Sequence, residues 1–208
     1  MPDPEDIDLD ELPLDEIARA AETCTACELY GPATQVVFGE GPEFARIMLL
    51  GEQPGDIEDR AGEPFVGPAG GVLDSVLEEA GIDRDDVYVT NVVKHFRFRV
   101  SGKKRIHQTP TRRHVEACRP WLDAELAKIR PRVIVTLGAS AAKSLLGSDL
   151  RVMADHGVPV EWEDFIVVPT IHPSFVLRSS ADPSRRSELR TILVADLMRA
   201  GELAGHRS

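Results

Sequence analysis

The strongest constraint on the fold is the alternation of short apolar runs with longer stretches of helical periodicity. Residues 46–50 form a compact apolar run stopped by Gly51, and residues 87–90, 133–137 and 165–168 repeat the pattern. Short runs with so little polar alternation mark strands that are covered on both faces. Between them, Val72, Leu73, Val76 and Leu77 fall at helical spacing, and Gly81 ends that helix. A further helix follows Thr111 as its N-cap, with Val115, Cys118, Leu122 and Leu126 on one face. Pro120 lies inside it and predicts a kink or break. Residues 138–146 and about 184–200 read as helices too, and Leu14, Ile17, Ala18 and Ala21 as a short one ahead of Cys24. Strand–helix alternation predicts an α/β fold: a three-layer α/β/α sandwich with a central, mostly parallel four-stranded sheet. The expected organisation is one domain over 13–208 behind an acidic, Pro-containing flexible tail over 1–12.

In such sheets ligands bind beyond the carboxyl ends of the strands. The polar signatures fall there: Gly51-Glu52-Gln53-Pro54-Gly55 after the first strand, Asn91 after the second, His172-Pro173-Ser174 after the fourth. Residues 92–110 read as a long polar and basic loop. The formal charge of −11 argues against nucleic acid, but its distribution reverses that reading. From Lys94 to Arg119 there are nine cations and a single acid, Glu116, which leaves 15 cations against 34 acids elsewhere. A local basic surface on an acidic body can still neutralise phosphates. The N-terminus is acidic where a signal peptide is basic and then apolar, and no run approaches the ~20 residues of a membrane span. A cytoplasmic protein without membrane contact is expected.

Three cysteines cannot pair among themselves, which points to metal ligands or buried apolar residues. Cys24-Thr25-Ala26-Cys27 is a C-x-x-C pair whose turn aims both sulfurs one way, and Cys118 and His95 are its partners at middle distance. On ligand chemistry alone, zinc and an iron–sulfur cluster both remain open, with zinc the default for three cysteines and a histidine.

Taken in order, several motifs resemble the uracil-DNA glycosylase superfamily in its iron–sulfur, family 4-like branch. They are the C-x-x-C pair, Gly51 to Gly55, Pro64-Phe65-Val66-Gly67-Pro68-Ala69-Gly70, Tyr88-Val89-Thr90-Asn91, Ala117-Cys118-Arg119-Pro120 and His172-Pro173-Ser174. Lys103-Lys104-Arg105-Ile106-His107-Gln108-Thr109-Pro110 looks like the basic histidine loop of the UdgX subgroup, and Gln53 points the same way.

The resemblance implies a [4Fe-4S] cluster on Cys24, Cys27, Cys118 and His95, the last standing where family 4 enzymes place a cysteine. It implies that Phe65 stacks on uracil and that Asn91 reads its edge, with Gln53 and Ser174 also lining the substrate. It makes Glu52, His107 and His172 catalytic: His172 donates to uracil O2, Glu52 supports departure, and His107 attacks C1′ in place of water. Lys94, Lys103, Lys104 and Arg105 would hold DNA phosphates. The expected activity is uracil excision from DNA, single strands included, by a monomer that stays covalently attached after one turnover. Two rivals are a conventional multi-turnover glycosylase using water and a non-catalytic, metal-stabilised DNA-binding protein.

Overall fold

The backbone groups of the apolar runs find their partners in one twisted sheet. The structure, a computed structural model, describes residues 8–147 and 149–205. Its elements run α1 (Leu14–Ala21), β1 (Ile47–Gly51), α2 (Asp56–Ala61), α3 (Pro68–Glu79), β2 (Val87–Asn91), β3 (Phe98–Ser101), β4 (Lys104–His107) and α4 (Arg112–Ile129). They continue with β5 (Val133–Leu137), α5 (Ala139–Leu146), α6 (Val152–Asp155), β6 (Val160–Trp162), β7 (Phe165–Thr170), α7 (Pro173–Arg178) and α8 (Pro183–Ala204). The sheet order is β2-β1-β5-β7-β6, with the first four parallel and β6 antiparallel to β7.

The α/β architecture agrees with the expectation, but the sheet has five strands rather than four. The extra strand is a three-residue edge, too short to leave a periodic signal. The loop expected over 92–110 is also partly structured, because β3 and β4 pair as an antiparallel hairpin outside the main sheet. Gly102, at φ 60°, makes the turn between them. Helix α4 continues through Pro120, so of the kink or break expected there the break does not occur.

Each strand of β1, β2 and β5 is buried at all five positions, and alternate residues feed two separate cores. On one face Ile47, Leu49, Val87, Val89, Val133 and Val135 pack under α3 and α8 through Leu73, Leu77, Leu189, Leu193 and Leu197. On the other, Met48, Leu50, Tyr88 and Ile134 meet Ile17 of α1 and Trp121, Leu122 and Leu126 of α4. Burying a Leu or Ile side chain is worth roughly 1.5–3 kcal/mol, so both layers are held by the sheet they cover. Leu9 and Leu12 pack against the second core, while residues 1–7 of the expected tail lie outside the described residues. Among the described residues no helix is long and apolar enough to cross a membrane.

One ion pair is sealed beneath β2. Lys94 and Glu125 have side chains only 1% and 0% exposed, with Nζ 2.5 Å from Oε2. The remaining Lys94 N–H groups reach Thr90 Oγ1 at 2.7 Å and the Asn91 carbonyl at 2.8 Å. Glu125 Oε1 in turn accepts from Tyr88 Oη, Thr90 Oγ1 and the Gly39 N–H. An ammonium has three protons, and all three are engaged. Lys94 is therefore a structural cation and has no charge to offer a phosphate, contrary to expectation. Removing one partner of such a pair strands the other in a site without water. Lys94→Met is expected to cost about 3–5 kcal/mol in equilibrium urea unfolding, and the double variant Lys94→Met/Glu125→Leu to recover most of that loss.

Candidate active site

Parallel strands stop pairing at a common edge, and that edge is where the polar residues emerge. Gly51 of β1 is in register with Asn91 of β2, and Leu137 of β5 with Thr170 of β7. The residues at and just beyond these pairs surround a cavity of about 660 Å³ that includes Glu52, Phe65, Asn91, His107, Ser140 and His172 in its wall. Gly51 has to be glycine, because a Cβ there would overlap the Asn91 carboxamide and the Phe65 ring.

Phe65 takes a left-handed backbone, φ 58°, which costs a residue with a Cβ on the order of 1–2 kcal/mol. Two contacts impose it. Gly70 passes so close to the Phe65 carbonyl that a Cβ at 70 would overlap it. The buried Glu58 accepts the Gly67 N–H at 2.9 Å and ties the loop to α2. The ring is thereby held at the cavity wall, 6.1 Å from the His172 ring and inclined by 29°. One aromatic face and, across from it, the donor and acceptor of Asn91 can hold a flat heterocycle with an amide-like edge.

His107 arrives from the hairpin. It ends β4, its side chain is half exposed, and its ring lies 6.2 Å from that of Phe96. A two-stranded hairpin is marginal alone, so its seat on the body matters. The Gln53 amide supplies part of that seat. Its carbonyl accepts the Arg97 N–H at 2.9 Å, and its NH₂ donates to the carbonyls of Arg97 and Gln108 at 3.2 and 3.1 Å. Gln53 borders the cavity as expected, but its polar atoms are spent on the hairpin rather than offered to a substrate.

Arg105 supplies the rest. Its guanidinium pairs with Asp56, donates to Asp59 at 2.6 Å, and lies 4.9 Å above the Phe98 ring centroid. With its side chain only 15% exposed, Arg105 anchors the loop and is not a free phosphate contact, which corrects the expectation. Lys103 and Lys104 do stand exposed at the hairpin tip.

Glu52 Oε1 lies 3.3 Å from His107 Nε2. Burial pushes the Glu52 carboxyl up, but polar contact with His107 and Ser140 and attraction to the neighbouring imidazole of His107 outweigh it and hold it below its ordinary value. Glu52 is an anion at neutral pH. His172 is the opposite case: burial is the largest influence and drives its pKa down to about 4, so the ring is neutral. Its Nδ1 accepts the Ser174 N–H at 3.1 Å. A neutral imidazole whose Nδ1 is an acceptor carries its proton on Nε2, and so has one donor left. Ser174 meets this ring with its hydroxyl as well, at 2.9 Å. Gly138, with φ 93°, carries no side chain at the point where His172 passes.

The three cysteines are buried, free of disulfides and share the core on the α4 side of the sheet. Two sulfurs already receive hydrogen bonds: Cys118 from the Lys94 N–H at 3.3 Å and Cys24 from Trp121 Nε1 at 3.2 Å. Burial pushes the Cys118 thiol up to about 12. His95, one residue beyond the Cys118 contact, is buried with an Nδ1 that has no hydrogen-bond partner. Soft donors with N–H groups on their sulfurs and one orphaned imidazole nitrogen match what an iron–sulfur cluster uses. Among the described residues, however, no three His, Cys, Asp or Glu side chains come together as a set that could hold a metal ion.

Glu52, Phe65, Asn91, His107 and His172 thus meet at one cavity, while Lys94 and Arg105 leave the surface for structural pairs. Sequence reasoning passed over Asp56, Asp59, Glu58, Ser140 and Arg178. The two aspartates carried a legible signal, since an acidic turn directly after a Gly/Pro loop is a ready partner for a basic segment. Ser140 and Arg178 carried none.

Residues 38–197 match the sequence profile described as the Uracil DNA glycosylase superfamily. The chain is 40% identical over 186 residues to a Type-4 uracil-DNA glycosylase of Thermotoga maritima, covering 88% of this chain and 91% of that one. It is 37% identical over 202 residues to a Type-4 uracil-DNA glycosylase of Archaeoglobus fulgidus, covering 93% and 94% of the two chains. A third such enzyme, from Sulfurisphaera tokodaii, is 35% identical over 200 residues, or 92% and 84% of the two chains. A profile match across the sheet, the cavity and the first part of α8, with relatives spanning nearly the whole chain, makes this protein a member of the uracil-DNA glycosylase superfamily.

Proposed function

We propose that this chain excises uracil from DNA and captures the resulting abasic sugar on His107, as the UdgX subgroup does. The observation that carries the reading is His107 Nε2 at 3.3 Å from Glu52 Oε1, at the mouth of the cavity that holds Phe65, Asn91 and His172. The glycosidic bond is out of reach inside a duplex, so the base enters the cavity extruded or from a single strand. Phe65 stacks on it, and the Asn91 carboxamide pairs with O4 and N3–H together. As the C1′–N1 bond breaks, its electron pair goes to uracil. The Nε2–H of neutral His172 stabilises that charge at O2, and the Glu52 carboxylate stabilises the cationic sugar.

His107 then competes with water for C1′. A neutral imidazole has one lone pair, which forms the C–N bond. The alkylated ring sheds a proton, and uracil takes one up, so charge and protons balance. Once it has shed its proton, the alkylated imidazole could depart only as an imidazolide, a much stronger base and poorer leaving group than the uracil anion, and turnover stops there. Lys103 and Lys104, exposed at the hairpin tip, meet the phosphates. Water in place of His107 would give the conventional enzyme; Glu52 beside the imidazole favours capture.

Cys24, Cys27, Cys118 and His95 would hold a [4Fe-4S] cluster that acts as a structural brace between α1 and α4. No step of excision passes through it. Zinc is the alternative occupant of the same four donors.

On a uracil-containing single strand, the wild type is expected to give an SDS-stable protein–DNA band with His107 as the modified residue. His107→Ser should lose the band, and Glu52→Gln should lower the rate of uracil release by roughly 100-fold or more. A persistent band in His107→Ser, or many turnovers by the wild type, would sink capture. Metal analysis of protein purified without air should find iron and acid-labile sulfide, with brown colour. Chelation after oxidation should bleach the colour and lower the urea midpoint, whereas stoichiometric zinc would refute the cluster.

A further inference from the structure

The His172 ring shows the cavity only one of its nitrogens; the other, Nδ1, is turned onto α7. Two donors converge on Nδ1: the Ser174 N–H at 3.1 Å and the Ser174 hydroxyl at 2.9 Å. The same hydroxyl receives Arg178 Nη1 at 2.8 Å, one turn further along the helix. Arginine has donors only, so this contact has a fixed direction. Ser174 Oγ accepts from Arg178, which leaves its own proton for His172 Nδ1. The Arg178 guanidinium also lies 5.9 Å from the Phe175 ring centroid, which keeps it over α7.

We propose that Arg178 is a positioning residue for His172: by orienting the Ser174 hydroxyl it locks the imidazole in the neutral form with its proton on Nε2, facing the cavity. The proposal rests on the reading that His172 donates to the departing uracil. Without Arg178 the hydroxyl is free to turn and accept a proton from Nδ1, which leaves the Ser174 N–H as the single donor holding Nδ1 unprotonated. The other tautomer, whose Nε2 has nothing to donate, and the cation then become accessible to a ring that swings Nδ1 off that one N–H.

Charge works in the same direction as geometry. The charged or titratable groups facing His172 are Glu52 from the end of β1, His107 from β4 and Arg178 on α7. Burial does most to lower the pKa of the ring, Glu52 opposes it, and Arg178 and His107 add to the lowering. Removing Arg178 therefore raises the pH at which His172 becomes cationic.

An exposed arginine at the cavity rim could instead be an ordinary phosphate contact, and the test separates the two. Single-turnover uracil release would be measured on a uracil-containing single-stranded oligonucleotide, from below to well above saturating DNA, between about pH 4 and pH 8, a span that brackets the ordinary histidine value. Wild type, Arg178→Met and Arg178→Lys would be compared, alongside imidazole ¹⁵N shifts of the free, histidine-labelled proteins. The expected result is a saturated rate about tenfold lower in Arg178→Met, the equivalent of one hydrogen bond. Its acid limb should move towards neutral pH, and its ¹⁵N shifts should report mixed tautomers. Arg178→Lys, which keeps a charged donor, should restore most of each.

The proposal is overturned if Arg178→Met only raises the DNA concentration for half-saturation, leaving the saturated rate, the acid limb and the ¹⁵N shifts unchanged. A wild type that releases no uracil would overturn the functional reading instead. The ¹⁵N shifts would still decide the lock, since they need no substrate.

Discussion

The place of His107 in this molecule depends on one guanidinium. Arg105 extends from β4 to two carboxylates of α2, and Asp59 is a fully buried acid that also takes the Thr34 N–H. Such an acid is tolerable only with a cation and hydrogen bonds around it. The planar fork of arginine answers both aspartates at once and lies against Phe96 and Phe98, which lysine would do poorly. The same contact therefore offsets buried charge on α2 and fixes the hairpin. The Gln53 amide then sets the register of the hairpin base, so that His107 comes to rest beside Glu52.

Positive charge in the segment from Lys94 to Arg119 is thus divided by depth. Lys94 neutralises Glu125 under the sheet, Arg105 pairs with the buried Asp59 of α2, and Lys103 and Lys104 remain outside. Cations counted along a chain overstate the charge a partner meets when some of them are committed to buried acids. In the cavity itself the working charges are the Glu52 anion and the polarity of neutral His172, an arrangement suited to a reaction in which positive charge grows on one fragment and negative on the other.

Much of this was legible in the sequence because the sheet is buried on both faces. Unbroken apolar runs announce such strands, and the motifs after them announce the edge at which Glu52, Asn91 and His172 gather. The strand β6 escaped notice because three residues of an antiparallel edge carry no periodicity. The hairpin escaped because its alternation of Phe98, Val100 and Ile106 with basic residues reads as a polar loop unless the turn glycine is given weight. The fates of Lys94 and Arg105 were hidden for a different reason. Their partners, Glu125 and Asp59, lie 31 and 46 residues further along or back, and residue type does not tell a buried cation from an exposed one.

The hairpin between β2 and α4 takes no part in the strand order of the main sheet. Its turn can change length without rethreading any strand of the sheet, but its base is bound to the body, because Arg105 is the cation that the buried Asp59 requires. The cavity therefore has two kinds of wall. One is the sheet edge, where packed neighbours on both faces resist change. The other is the ribbon that carries His107, seated by a handful of polar contacts and one buried charge pair, so that its tip is free to vary while its base is not.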